Sequence, residues 1–316
     1  MLDNNTELPV CQEILERSKV LKILTLGHSL AVDSCHMLAL VAEKEGYQQL
    51  VIGTLYYSGC RLSRHVQYMT EDAPAYNLYL SSTLSPNTPP TILKKVTMHD
   101  GIVFNDWDVI VMQPGVFEGA EDEAYKAGYI QTLQSYVNTH KRNPNVIFGW
   151  HMPWATPTDN ELRDKYPYER NSYYISYEQY GDDRNRFYGA ITKCVADNIL
   201  TDDTFRFLIP TATAFENALT SYMTEKDLHR DYAHATDYAR VIGAYTWLCS
   251  ILGIRRLEEI KLDVIPKEFF KSSKETEDRV LTDMEKKIIL ESVNNALSNP
   301  LQKTQSRYTD LPAGNV

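Results

Sequence analysis

Apolar and polar residues follow two rhythms along this chain. Short unbroken apolar runs alternate with stretches whose apolar positions return every three or four residues, the patterns of buried strands and amphipathic helices. Ile23–Leu26 is the first run; the chain then turns at Gly27 and enters a helical pattern through Val32, Cys35, Leu38, Ala39 and Ala42, ending near Gly46. Gln49–Tyr56, Trp107–Gln113, Asn145–Met152 and Arg206–Thr211 are the further strand-like runs. Glu121–His140 carries Tyr125, Tyr129, Leu133, Tyr136 and Val137 on one side, and Ile191, Val195 and Ile199 mark another helix. Residues 70–90, with Pro, Ser, Asn and Tyr but no period, read as an excursion above the sheet. A last helix spans Ala235–Leu252. Strands alternating with helices at this spacing predict a three-layer α/β/α sandwich around a central, mainly parallel five-stranded sheet.

The two ends of the chain read differently. Residues 1–20 form a helical lead-in, with Cys11, Ile14, Leu15 and Val20 apolar, and residues 21–254 form the main domain. Residues 255–316 are a charged C-terminal extension with one helix, started by the capping box Thr282-Asp-Met-Glu285 and stopped by Pro300. Tyr166, Tyr168, Tyr173, Tyr174, Tyr177 and Tyr180 could line a lid or a sugar-stacking platform. Tyr173, Tyr177 and Tyr180 also share one helical face, which suits core packing.

Composition narrows the partners. With 316 residues and 43% hydrophobic content the chain can bury a substantial core. A formal net charge of −10 argues against nucleic acid or an anionic membrane surface as partner. No apolar run approaches the roughly 20 residues of a membrane span. The polar, acidic start lacks a signal-peptide core, so the expected location is cytoplasmic, or exported with a leader removed. The five cysteines, 11, 35, 60, 194 and 249, show no CxxC spacing and read as reduced and structural. The eight histidines form no zinc-ligand spacing, so no metal and no cofactor is expected.

Sheets of this kind bind ligands outside the carboxyl ends of their strands. Four stretches fall there or just before the last helix: Gly27-His-Ser-Leu30, Ser58-Gly-Cys60, Met112-Gln-Pro-Gly115 and Asp231-Tyr-Ala-His234. A serine at a strand-to-helix turn holds its hydroxyl at the sheet edge, where the first helical amides can steady an oxyanion. Ser29 is therefore a candidate nucleophile, although serine is also a favoured helix cap. Asp231 could equally cap the last helix, and Gly59 could serve only a tight turn. Among the other polar residues, His36 lies about 10 Å further along the helix than Ser29, too far to reach it. Asp33 has a structural reading, as a carboxylate near the positive end of its helix.

Gly27-His28-Ser29-Leu30 resembles the GDSL signature of the SGNH hydrolases, with His in place of the usual Asp. Tyr-Tyr-Ser-Gly-Cys, Trp-Asp-Val-Ile-Val-Met-Gln and Trp-His-Met-Pro-Trp together resemble one bacterial branch of that superfamily, over about residues 20–253. The resemblance implies a flavodoxin-like SGNH fold and a serine esterase. Ser29 would be the nucleophile, His234 its base, and Asp231 the group that orients His234. The amides of Ser29 and Gly59, with the Gln113 side chain, would form the oxyanion hole. Gln113 departs from the Asn usual in the third block, but its carboxamide can donate as Asn does. His28 would make the serine loop sensitive to pH, and His28 and Trp154 are candidates for substrate binding. The expected substrate is a small-molecule or carbohydrate ester carrying a small acyl group such as acetyl. Two alternatives share the fold: an acyltransferase using the same three residues, and a non-catalytic ligand-binding module.

Overall fold

The computed structural model describes residues 20–47, 49–163, 179–180, 182–270 and 277–310. The lead-in, apart from Val20, and five of the six tyrosines of the aromatic stretch lie outside the described residues. The sixth, Tyr180, packs its ring on Phe187 and donates to the Ala120 carbonyl.

The five expected strands are present as β1 (Leu21–Gly27), β2 (Leu50–Tyr56), β5 (Val109–Met112), β6 (Ile147–His151) and β7 (Phe205–Ile209). They are mutually parallel, in the order β2-β1-β5-β6-β7. The excursion after residue 70 departs from expectation. It holds β3 (Tyr76–Ser82) and β4 (Thr91–Val96), antiparallel strands that extend the sheet beyond β2 to seven strands. Their sequences hide the period-2 signal. On β4 five of six residues are exposed, so neither face required an apolar stripe.

Eight described helices reach seven residues or more: α1 (Ser29–Cys35), α2 (Leu38–Lys44), α3 (Leu62–Thr70), α4 (Tyr129–His140), α5 (Arg184–Asn198), α6 (Thr211–Ala218), α7 (Asp237–Leu252) and α8 (Asp283–Ser298). Two elements read as continuous helices are each broken. The first is interrupted between Cys35 and Leu38; the second stops at Lys126 and restarts after Gly128, whose φ is +79°.

Strand order reverses direction at β1. The chain moves outward one way from β1 to β2 and the other way through β5, β6 and β7. With right-handed crossovers this places the connecting helices on opposite faces of the sheet. α7 packs on α1 and α2, while α3 packs on α4. In open sheets of this kind ligands bind where the direction reverses, here outside the carboxyl ends of β1 and β5.

The C-terminal extension folds back onto the domain. α8 starts at the expected Thr282–Glu285 capping box, and Ile288, Ile289, Val293 and Ala296 are buried beside α6 and α7. The four described cysteines are free and buried, and burial pushes the Cys35 thiol up to about 12. Among the described residues no helix is long and apolar enough to cross a membrane.

Candidate active site

β1 ends at Gly27 and α1 begins at Ser29, so the expected strand–turn–helix is present. His28, not Ser29, is the N-cap. Its Nδ1 accepts the Leu30 N–H at 3.4 Å, and its Nε2–H donates to the Pro114 carbonyl at 2.9 Å. Ser29 is thereby freed of capping duty; it sits half-buried as the first helical residue.

Gln113, at the end of β5, lies directly beneath this turn. Its Oε1 accepts the His28 backbone N–H at 3.3 Å, and its Nε2 donates to His151 Nδ1 at 2.7 Å. That acceptor role puts the His151 proton on Nε2, which donates to Thr211 Oγ1 at 3.1 Å. One carboxamide proton is thus committed to His151, on a side chain that is fully buried. Gly59 lies in an exposed turn after β2 with φ +58°, a left-handed conformation that a residue with a Cβ rarely adopts.

Asp231 and His234 form a direct pair. His234 Nδ1 lies 2.9 Å from both Asp231 carboxylate oxygens, and Asp231 Oδ1 also accepts the Ala233 and His234 backbone N–H groups. Burial pushes the Asp231 carboxyl up, but His234 and the two amides outweigh it and hold it below the usual carboxylate range. Asp231 therefore does not cap α7; Thr236 does. In the neutral imidazole the Asp231 contact places the His234 proton on Nδ1 and turns Nε2 into an acceptor, on a side chain 20% exposed.

What fastens this loop to α1 was not legible in the sequence. Asp33 lies one helical turn past Ser29, on the same face of α1. It is fully buried and accepts the N–H of Ala235, the residue after His234, at 3.0 Å. Arg240 of α7 donates to it through Nε and Nη2 at 3.0 and 2.9 Å, and Arg230 donates at 3.1 Å. The structural reading of Asp33 stands, but the cause is two guanidinium groups and an amide rather than the helix dipole. The His234 loop is thereby tied to the helix that Ser29 begins, although no hydrogen bond joins His234 to Ser29. Such bonds are often long before substrate arrives.

Two expectations change. Trp154 does not wall a pocket: it is fully buried, stacked on Phe215, and its indole N–H donates to the Ala233 carbonyl at 2.7 Å. It reaches the site only as a brace for the His234 loop. His28 spends both ring nitrogens on Leu30 and Pro114 and so has none for substrate, and burial lowers its pKa from 6.5 to about 4. The serine loop is therefore not switched near pH 6 to 7.

Burial of neutral histidines has a consequence for stability. His65 is lowered by burial to about 3, and His151 is pushed well below its ordinary value for the same reason. Between about pH 4 and 6.5 the unfolded chain binds protons at His28 that the folded protein refuses, so stability falls as pH drops through that window. For His28 alone the loss is on the order of 3 kcal/mol. Thermal unfolding between pH 7 and 4.5 checks this; a midpoint unchanged over that range would contradict it.

No cluster of His, Cys, Asp or Glu suited to a metal ion occurs among the described residues. A DUF4886 family protein from Bacteroides uniformis is similar to this chain, with a TM-score of 0.73 and 23% identity over 90% of this chain and 98% of that one. That similarity is one of fold. A protein from Slackia heliotrinireducens proposed to be an SGNH hydrolase aligns more loosely, with TM-score 0.45 and 17% identity over 73% of this chain and 99% of that one. An acetyl xylan esterase aligns with TM-score 0.38 and 17% identity over 72% and 98%. No curated protein matches the sequence. The domain of unknown function DUF4886 matches residues 22–263, from the start of β1 to beyond the end of α7, and the chain belongs to that family.

Proposed function

We propose that this protein is a serine esterase of the SGNH type, with Ser29, His234 and Asp231 as its catalytic residues. One observation carries the reading: a His234–Asp231 pair, bonded through Nδ1, is tied through Ala235 and Asp33 to the helix that Ser29 begins. In the first step His234 Nε2 takes the Ser29 proton while Oγ bonds to the ester carbonyl carbon. The oxyanion that forms faces the amides of Ser29 and Gly59 and the Gln113 carboxamide. Collapse breaks the bond to the alcohol oxygen, which takes the proton from His234 and leaves. Water then gives a proton to His234 and attacks the acyl carbon, and His234 returns that proton to Ser29 Oγ as the acyl–Oγ bond breaks and the carboxylic acid leaves. Asp231 keeps the imidazole in the required tautomer and stabilises its charged form.

The fold also suits a non-catalytic module, so the test must detect an activated serine without knowledge of the substrate. A fluorophosphonate probe should label the wild-type protein and not Ser29→Ala. Hydrolysis of p-nitrophenyl acetate should disappear in the same variant while its unfolding temperature holds. Persistent labelling of Ser29→Ala would place the nucleophile elsewhere.

A further inference from the structure

Glu118 is a buried carboxylate to which the esterase chemistry gives no task. It lies in a single 3-10 turn, Glu118–Ala120, and is 2% exposed. Burying a carboxylate is costly unless strong donors satisfy it. Here one oxygen, Oε2, accepts the Leu62 N–H at 2.7 Å and the Gly115 N–H at 2.8 Å. Burial raises the Glu118 carboxyl above the usual range, opposed by those two amides and by Arg61.

The two amides belong to different loops. Leu62 opens α3, and Arg61 at its N-cap position makes no side-chain capping bond. Glu118 supplies that cap from a distant part of the chain. Gly115 belongs to the loop after β5, just past Gln113. A Cβ there would stand 3.1 Å from Arg61 Cγ and 3.4 Å from Glu118 Oε2, so the loops after β2 and β5 are in contact. Gly59 lies on the first of these loops and Gln113 at the root of the second.

We propose that Glu118 is a positioning residue: by fastening these two loops together it sets the separation of the Gly59 amide and the Gln113 carboxamide as paired oxyanion donors. The role rests on the Ser29 reading and adds to it. Donors of this kind act only if held in place before the charge develops. A misplacement of about 1 Å can cost about a hundredfold in rate. Because the oxyanion exists only in the transition state, the loss falls on kcat and not on KM.

Wild type, Glu118→Ala, Glu118→Gln and Gly115→Ala should be compared by fluorophosphonate labelling rate, by kcat and KM for p-nitrophenyl acetate, and by thermal unfolding. Glu118→Ala should lower kcat and labelling rate about 10- to 100-fold, with KM within about twofold. Glu118→Gln keeps a carbonyl oxygen for both amides and should stay within about threefold of wild type. Gly115→Ala crowds Arg61 across the same loop contact while keeping the carboxylate, so it should lower kcat as well and carries the test if Glu118→Ala does not fold. An unlabelled wild type overturns the serine esterase reading and the positioning role with it. A labelled wild type, with Glu118→Ala or Gly115→Ala equally fast, overturns the positioning role alone. A KM rise at constant kcat in either variant also overturns it.

Discussion

His234→Ala should abolish ester turnover, lowering kcat by about a millionfold, whereas Asp231→Ala should cost about ten-thousandfold and leave measurable activity. The difference follows from what else could accept the Ser29 proton. His28 spends both ring nitrogens on Leu30 and Pro114, and His151 spends both on Gln113 and Thr211. His229 is fully buried with Arg184 against its Nε2, His36 is held on the Phe269 carbonyl, and His65 stacks on Tyr76. His99 and His140 pack on each other elsewhere. No histidine is left to replace the base. Asp231 only orients the imidazole and stabilises its charge, and water can do part of that. The double variant should be little slower than His234→Ala, because groups that act as a unit are non-additive. Turnover of p-nitrophenyl acetate over a pH series measures all three variants. Activity retained by His234→Ala would remove it from the mechanism.

Asp33→Ala should be the most destabilising substitution near the site, by about 3–5 kcal/mol. Asp33 and Arg240 are both fully buried, and removing the carboxylate leaves the guanidinium with Asp237 as its remaining carboxylate partner. It also releases Arg230 and the Ala235 amide, which together hold the His234 loop against α1. The unfolding midpoint should drop by roughly 5–8 °C, and the fluorophosphonate labelling rate of whatever remains folded should fall with it. A midpoint within about 2 °C of wild type would contradict the prediction. Labelling at the wild-type rate would show that the His234 loop holds its place without Asp33.

Sequence and structure diverge most in the sheet and around the serine. Ile23–Leu26 and Trp107–Gln113 were readable as strands because parallel strands are covered on both faces and must be apolar throughout. β4 is exposed on both faces, so nothing in Thr91–Val96 had to alternate. The helix breaks near His36 and at Gly128 were missed because the apolar period runs across them.

The sequence by itself determined the alternation of strands and helices, the strand–Gly–His–Ser–helix turn and the Asp231–His234 spacing. Each depends on residues close together in the chain, where backbone sterics and side-chain reach are set locally. Which groups hold that chemistry in place was decided by the tertiary structure. The Asp33–Arg240 pair, the Trp154–Ala233 bond and the Glu118 bridge join residues far apart in sequence. Even the role of His28 depends on burial: an imidazole that would titrate near neutrality in water is held neutral by desolvation, although the Pro114 carbonyl favours its charged form. Spacing along a chain carries no record of such contacts, because desolvation and long-range hydrogen bonding arise only when the layers close around them.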